Sequence, residues 1–180
     1  MRRAVAGLLG CAAAGVVNLA ALAQPHPPTL PTRDVDVTYR TGALEQRWRF
    51  RAADQKLRLD PPTQGVYMIL DYSAHRMVMV NDTERATIDA PAPARTPFGA
   101  PLGAGTVRHG TDRVAGLECT EWETGDTAGQ PTLACFTADG VMLRARRGDA
   151  VLVEADRVAY GPLDDALFVV PASYHRGGRP

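Results

Sequence analysis

The chain has 180 residues, with 20 basic and 20 acidic side chains and a formal net charge of zero. That is a one-domain length. The balance argues against a nucleic-acid partner, because proteins that grip phosphates carry an excess of Lys and Arg. Gly 17 and Pro 14 suit a turn-rich β domain better than a helical one.

Residues 1–23 read as a secretory leader. Arg2 and Arg3 form a positive start, an apolar stretch runs from Ala4, and Ala21-Leu22-Ala23 offers small residues for cleavage after Ala23. The stretch contains Asn18 and three glycines and is followed at once by Pro25, Pro27, Pro28 and Pro31. It therefore reads as a cleaved signal and not as a retained membrane span. Leu8-Leu9-Gly10-Cys11 has the look of a lipoprotein site, but the apolar run before Cys11 is short and more apolar sequence follows it. Cleavage leaves roughly 155 residues, enough for one hydrophobic core, with a periplasmic address and no transmembrane segment in the mature chain.

Residues 24–33 form a Pro-rich tether, expected to run extended and mobile. A single β-rich domain then spans 34–176, and 177–180 is expected to be a disordered tail. Val35, Val37 and Tyr39 alternate with polar residues, as do Leu44, Gln46, Trp48 and Phe50, and then Leu57 and Leu59. One wet and one dry face per strand is the pattern of an antiparallel sheet. Val66–Tyr72 and Met77–Val80, joined by Ser73-Ala74-His75-Arg76, are apolar on both faces and must be covered on both. A short strand is expected around Ala86–Ala90. Residues 91–110 are rich in Pro, Gly and Ala and are expected to be a long irregular loop, a lid or one short helical turn.

Four further strands follow, at Leu117–Glu123, Thr132–Thr137, Val141–Arg146 and Val151–Tyr160. Gly125, Asp126, Gly129 and Pro131 mark one turn, and Asp139-Gly140 and Gly148-Asp149 mark two others. Leu163–Val169 reads as a short helix or a closing strand. The fold class is mainly β: one curved antiparallel sheet of eight or nine strands with little helix.

With Cys11 removed, Cys119 and Cys135 remain. An even count in an exported chain, on two adjacent strands, implies a structural disulfide.

No motif for catalysis, metal or cofactor stands out. Asp71, Ser73 and His75 sit at alternate positions, but alternate strand side chains are about 7 Å apart, too far for two good hydrogen bonds without a bend; no nucleophile elbow is present, and the segment reads as a hairpin turn. The four histidines have no ligand spacing. Glu118, Glu121 and Glu123 could pair with Arg144, Arg146 and Arg147 as a surface ladder. The more informative group is Trp48, Phe50, Met68, Leu70, Tyr72, Met77 and Met79. Met adapts to irregular apolar shapes, so the group is either ordinary core or the lining of an apolar ligand pocket.

Three segments carry a family resemblance: Val114-Ala115-Gly116-Leu117-Glu118-Cys119-Thr120-Glu121-Trp122, then Cys135-Phe136-Thr137-Ala138-Asp139-Gly140, then Phe168-Val169-Val170-Pro171-Ala172-Ser173-Tyr174. In this order they resemble uncharacterised exported domains related to the periplasmic lipoprotein-carrier (LolA-like) superfamily, over most of residues 34–176. The resemblance implies a half-barrel with an apolar concave face. Where carriers place plug helices this chain has Pro91, Pro93, Pro97 and Pro101, a departure that puts lipoprotein transfer in doubt, so what the resemblance implies is the shape and binding of an apolar ligand.

The resulting expectation is a non-enzymatic periplasmic protein that binds a lipid or acyl chain in the concave face of a curved sheet. An envelope protein–protein module, docking through the sheet face or an edge strand, is the alternative. A hydrolase whose residues cannot be picked out is the third.

Overall fold

In the computed structural model, residues 26–93, 106–125 and 130–177 are described. The expected leader at 1–23, the middle of the 91–110 segment, residues 126–129 of an expected turn and the last three residues lie outside them.

Twelve strands form one sheet: β1 Val35–Thr41, β2 Leu44–Arg51, β3 Lys56–Asp60, β4 Val66–Asp71, β5 Arg76–Asn81, β6 Ala86–Pro91, β7 Val107–Val114, β8 Leu117–Gly125, β9 Pro131–Phe136, β10 Met142–Arg147, β11 Ala150–Tyr160 and β12 His175–Arg176. Their spatial order is β12-β6-β5-β4-β3-β2-β1-β11-β10-β9-β8-β7. Two meanders, β1–β6 and β7–β11, are thus joined at the centre by the antiparallel pair β1–β11, from Val35↔Tyr160 to Arg40↔Glu154. Among the described residues the one helical element is a 3-10 turn at Asp165–Phe168.

The mainly β, open curved sheet agrees with the sequence reading, but twelve strands replace the expected eight or nine. β7 is the strand that was missed outright. Its residues are exposed on both sides except Gly110 and Val114, so it carries no alternation to detect. It takes the last four positions of the supposed 91–110 loop, and β6 takes the first. β12 is only two residues long, paired in parallel with Ala86 and Thr87 of β6. Leu163–Val169 resolves into the 3-10 turn.

Cross-strand pairs point to the same side of a sheet, so the register separates two faces. On the inner face, Val35, Val37 and Tyr39 meet Phe50, Trp48 and Gln46. Val35, Val37, Tyr39, Phe50 and Leu57 are all fully buried. Their cluster continues into Val141, Leu143, Cys119, Cys135 and Val114 of the second meander. The sheet curls to make this possible: β7 returns to within 8 Å of β11, although three strands lie between them in the sheet. Cys119 and Cys135 are bonded as expected, with Cα atoms 5.4 Å apart. Cys135 pairs in register with Glu121, so the bridge runs diagonally from β8 to β9.

The outer face of β1–β3 is a charged ladder. Arg47 donates to both oxygens of Asp36, Arg49 and Arg58 share Asp60, and Arg51 and Lys56 share Asp54. The alternation of Arg with apolar residues in Leu44–Arg51 produces this directly.

Both ends of the domain are strapped on. The segment expected to be a mobile tether is docked: Pro31 is buried, Leu30 packs on the core, and Thr32 N donates to Asp139 O at 3.0 Å. Arg33 pairs with Asp139 and lies 4.0 Å over the Tyr160 ring. Gly140 is required beneath it. Its φ is +91°, and a Cβ there would meet Pro28 O at 2.9 Å and Leu30 O at 3.0 Å.

The C-terminal strap covers the outer face of β4 and β5. Val170 and Tyr174 pack on Tyr67, Ile69, Val78 and Val80. Phe168 is buried beneath the Arg51 guanidinium, 4.5 Å from its ring centroid, and Arg58 Nη1 donates to Leu167 O at 3.2 Å. Tyr174 is pinned by its hydroxyl, which donates to Asp82 Oδ1 at 3.0 Å.

Candidate functional site

With the strap on the outer face, the two-sided apolarity of β4 and β5 leaves the inner face to be accounted for. The register sets two adjacent rows across it. One runs Trp48–Leu59–Met68–Met79–Ile88 and the other Phe50–Leu57–Leu70–Met77–Ala90. Six of the seven residues singled out from sequence (Trp48, Phe50, Met68, Leu70, Met77 and Met79) therefore lie side by side on one face. The seventh, Tyr72, packs against the same cluster. Leu57, Leu59, Ile88 and Ala90 complete the rows and were not singled out. The alternation of Leu57 and Leu59 with Lys56, Arg58 and Asp60, and of Ala86, Ile88 and Ala90 with Thr87 and Asp89, is the signal that could have found them.

Burial falls steadily along these rows. Trp48 and Phe50 are buried at the sheet centre, Leu59, Met68 and Met77 are half-buried, and Met79 and Ile88 are each 37% exposed. The strip is core at its central end and open surface at its β6 end. The Tyr72 hydroxyl is buried without a hydrogen-bond partner among the described residues, and that burial pushes its pKa well above the usual tyrosine value.

Clefts among the described residues flank the sheet. One, of about 500 Å³, lies between residues 28–32 and the β2–β3 turn at Ala52 and Gln55. Another, of about 380 Å³, is lined by Arg76, Asp89, Ala90, Pro91 and Arg176 at the β6 edge. The charged residues of the second were not flagged from sequence, because Arg76 and Arg176 are 100 residues apart and only the β12–β6 pairing brings them together.

The polar candidates serve the fold. Asp71 Oδ1 accepts from Ser73 Oγ at 2.7 Å and from Ala74 N at 2.8 Å, closing the β4–β5 turn. The His75 side chain is exposed, and its backbone sits at φ 51°. Glu121 accepts from Arg144 and Arg146 at 3.1–3.3 Å, the ladder expected from sequence, and these bonds hold its carboxyl below the usual range despite partial burial. His109 pairs with Glu123 at 2.8 Å. Among the described residues no group of His, Cys, Asp and Glu could hold a metal ion, and no helix is long and apolar enough to cross a membrane.

No protein-family model and no curated protein matches the chain. Among solved structures it is similar to an uncharacterised conserved protein from Thermus thermophilus, with a TM-score of 0.59 at 12% identity over 82% of this chain and 91% of that one. The likeness shows a shared fold. Slighter likenesses reach PNGF-II (TM-score 0.49, 12% identity, 80% of this chain and 30% of that one) and MucB in complex with MucA(peri) (0.41, 15%, 74% and 53%). At those TM-scores they establish nothing further about this chain.

Proposed function

We propose that this chain is an exported, non-enzymatic binding protein that holds an apolar ligand, a lipid or acyl chain, along the inner face of β2–β6. The observation that carries this reading is the continuous apolar strip from Trp48 to Ile88, buried at one end and open at the other. An apolar surface that passes without a break from core to solvent gives a hydrocarbon chain an entry and a stop. The open curved sheet, the three motif segments in order and the leader support a LolA-like half-barrel working in the periplasm.

Native mass spectrometry of the mature protein purified from its own periplasm tests this. The reading expects a discrete mass excess that delipidation removes and that identifies as lipid. A bare polypeptide that takes up no added fatty acid or phospholipid would overturn it.

A second reading has its own observation. β7 ends the sheet order, is eight residues long and is largely exposed. An edge of that length can accept a partner's strand, so an envelope protein docking there is the alternative. A pull-down whose partner is lost on substituting a proline at Thr111 would favour it.

A further inference from the structure

The cleft at the β6 edge has a chemistry that differs from the apolar strip beside it. Arg76 on β5, Asp89 on β6 and Arg176 on β12 sit on three neighbouring strands. Asp89 Oδ1 accepts from Arg76 Nε at 2.8 Å and from Nη2, and Asp89 Oδ2 lies 3.6 Å from Arg176 Nε. One carboxylate thus holds two guanidinium groups, which leaves a net positive charge of one. Each guanidinium has five N–H donors, so most remain for something else. The groups border about 380 Å³ of open space floored by Ala90 and Pro91. Paired, pre-oriented arginines are a site for a carboxylate or phosphate.

The position of this site sets its ligand class. Arg76 immediately precedes Met77, and Asp89 lies between Ile88 and Ala90, so the cationic cleft backs directly onto the exposed end of the apolar strip. The strap pairs with β6 only at Ala86 and Thr87, and Gly177 N closes on Thr87 O at 2.7 Å. Among the described residues, no strand pairs with β6 on that side beyond this point, at Ile88–Pro91. A chain lying on Met77, Met79 and Ile88 can leave the inner face there and turn its end into the arginines.

We infer that the ligand is an anionic amphiphile: its tail lies on the strip and its phosphate or carboxylate head rounds the β6 edge to Arg76 and Arg176. This rests on the reading of the strip as an apolar binding face and adds the head group to it.

The test compares two amphiphiles with the same acyl chain, lysophosphatidylglycerol and monoacylglycerol, titrated below micelle formation against the full mature chain. A third titration uses inorganic phosphate alone. The phosphoryl compound is expected to bind about tenfold more tightly than the neutral one, as an order of magnitude for charge-assisted hydrogen bonds. That advantage should shrink at high salt, because the head site is exposed to solvent. Arg176→Gln and, separately, Arg76→Gln should each remove most of it while leaving monoacylglycerol binding unchanged. Arg176 has 80% of its side chain exposed, so that variant should keep the parent melting temperature. Equal binding of the two amphiphiles, indifferent to both substitutions, would overturn the head-group inference and leave the apolar-face reading standing. Binding of phosphate as tight as that of the lysolipid, with no monoacylglycerol binding, would make this a free-anion site and overturn the amphiphile. Failure of both amphiphiles to bind would remove the apolar-face reading and this inference together.

Discussion

Met68 stands directly opposite Met79 across β4 and β5, and between them a half-buried row becomes an exposed one. The buried and the open ends of the two-row strip should respond differently to substitution. Leu57→Ala, at a fully buried position, should cost about 2–5 kcal/mol in urea unfolding, the usual range for a core leucine. Met79→Asp, on the open end, should change stability by no more than about 0.5 kcal/mol, the usual range for a surface substitution. A Met79→Asp protein that unfolds as readily as Leu57→Ala would mean that the strip is ordinary core throughout.

The Cys119–Cys135 bridge closes a loop with a sequence separation of 16, and both residues are buried. In the chain-entropy account a loop of about 15 residues contributes about 3 kcal/mol. The Cys119→Ser/Cys135→Ser double variant should melt clearly below the parent. Thiol labelling of the native protein should find neither residue free. Quantitative labelling at both positions would contradict the bridge.

Phe168 anchors the C-terminal strap beneath Arg51 and is buried. Phe168→Ala should destabilise by about 3 kcal/mol, the low end for truncating a buried aromatic. It should also speed hydrogen exchange in β4 and β5, whose outer face the strap covers. Unchanged exchange at Tyr67–Val80 would mean that the strap is not what protects that face.

The pH dependence has a definite sign. The hydrogen bond from Arg51, with help from Lys56, holds the Asp54 carboxyl down at about 2. A carboxyl whose pKa is depressed on folding binds fewer protons than in the unfolded chain, where its value is about 4. Its stabilisation is therefore present above about pH 4 and is lost as pH falls toward 2. Circular dichroism through this window should show acid unfolding beginning at higher pH in Arg51→Gln than in the parent. Coincident acid transitions would show that the Arg51–Asp54 pair contributes nothing to the pH dependence.

Much of this architecture was legible because alternation survives wherever one face is wet. The Arg-interleaved strand Leu44–Arg51 announced both its core face and its charged ladder. The doubly apolar hairpin Val66–Val80 announced that it needed cover on both sides, but sequence could not say that the strap from Phe168 to Tyr174 supplies one of the covers. The docking of residues 28–33 was missed because a Pro-rich segment resembles a linker until Leu30 and Arg33 find the core and Asp139. β7 was missed because Arg108, His109, Asp112 and Arg113 give it no dry face. The central β1–β11 pairing and the Arg76–Asp89–Arg176 cleft depend on contacts more than 80 residues apart along the chain, which no local pattern encodes.

The most direct test of the central claim is a fluorescence titration of the delipidated mature protein with a neutral monoacyl amphiphile, run in parallel on Ile88→Asp. Saturable binding that weakens about tenfold in the variant, with the melting temperature unchanged, is the expected result. The size follows from burying a carboxylate in the path of a hydrocarbon chain. Binding of equal strength in both proteins, or no binding in either, would contradict the assignment of the inner face as the ligand site.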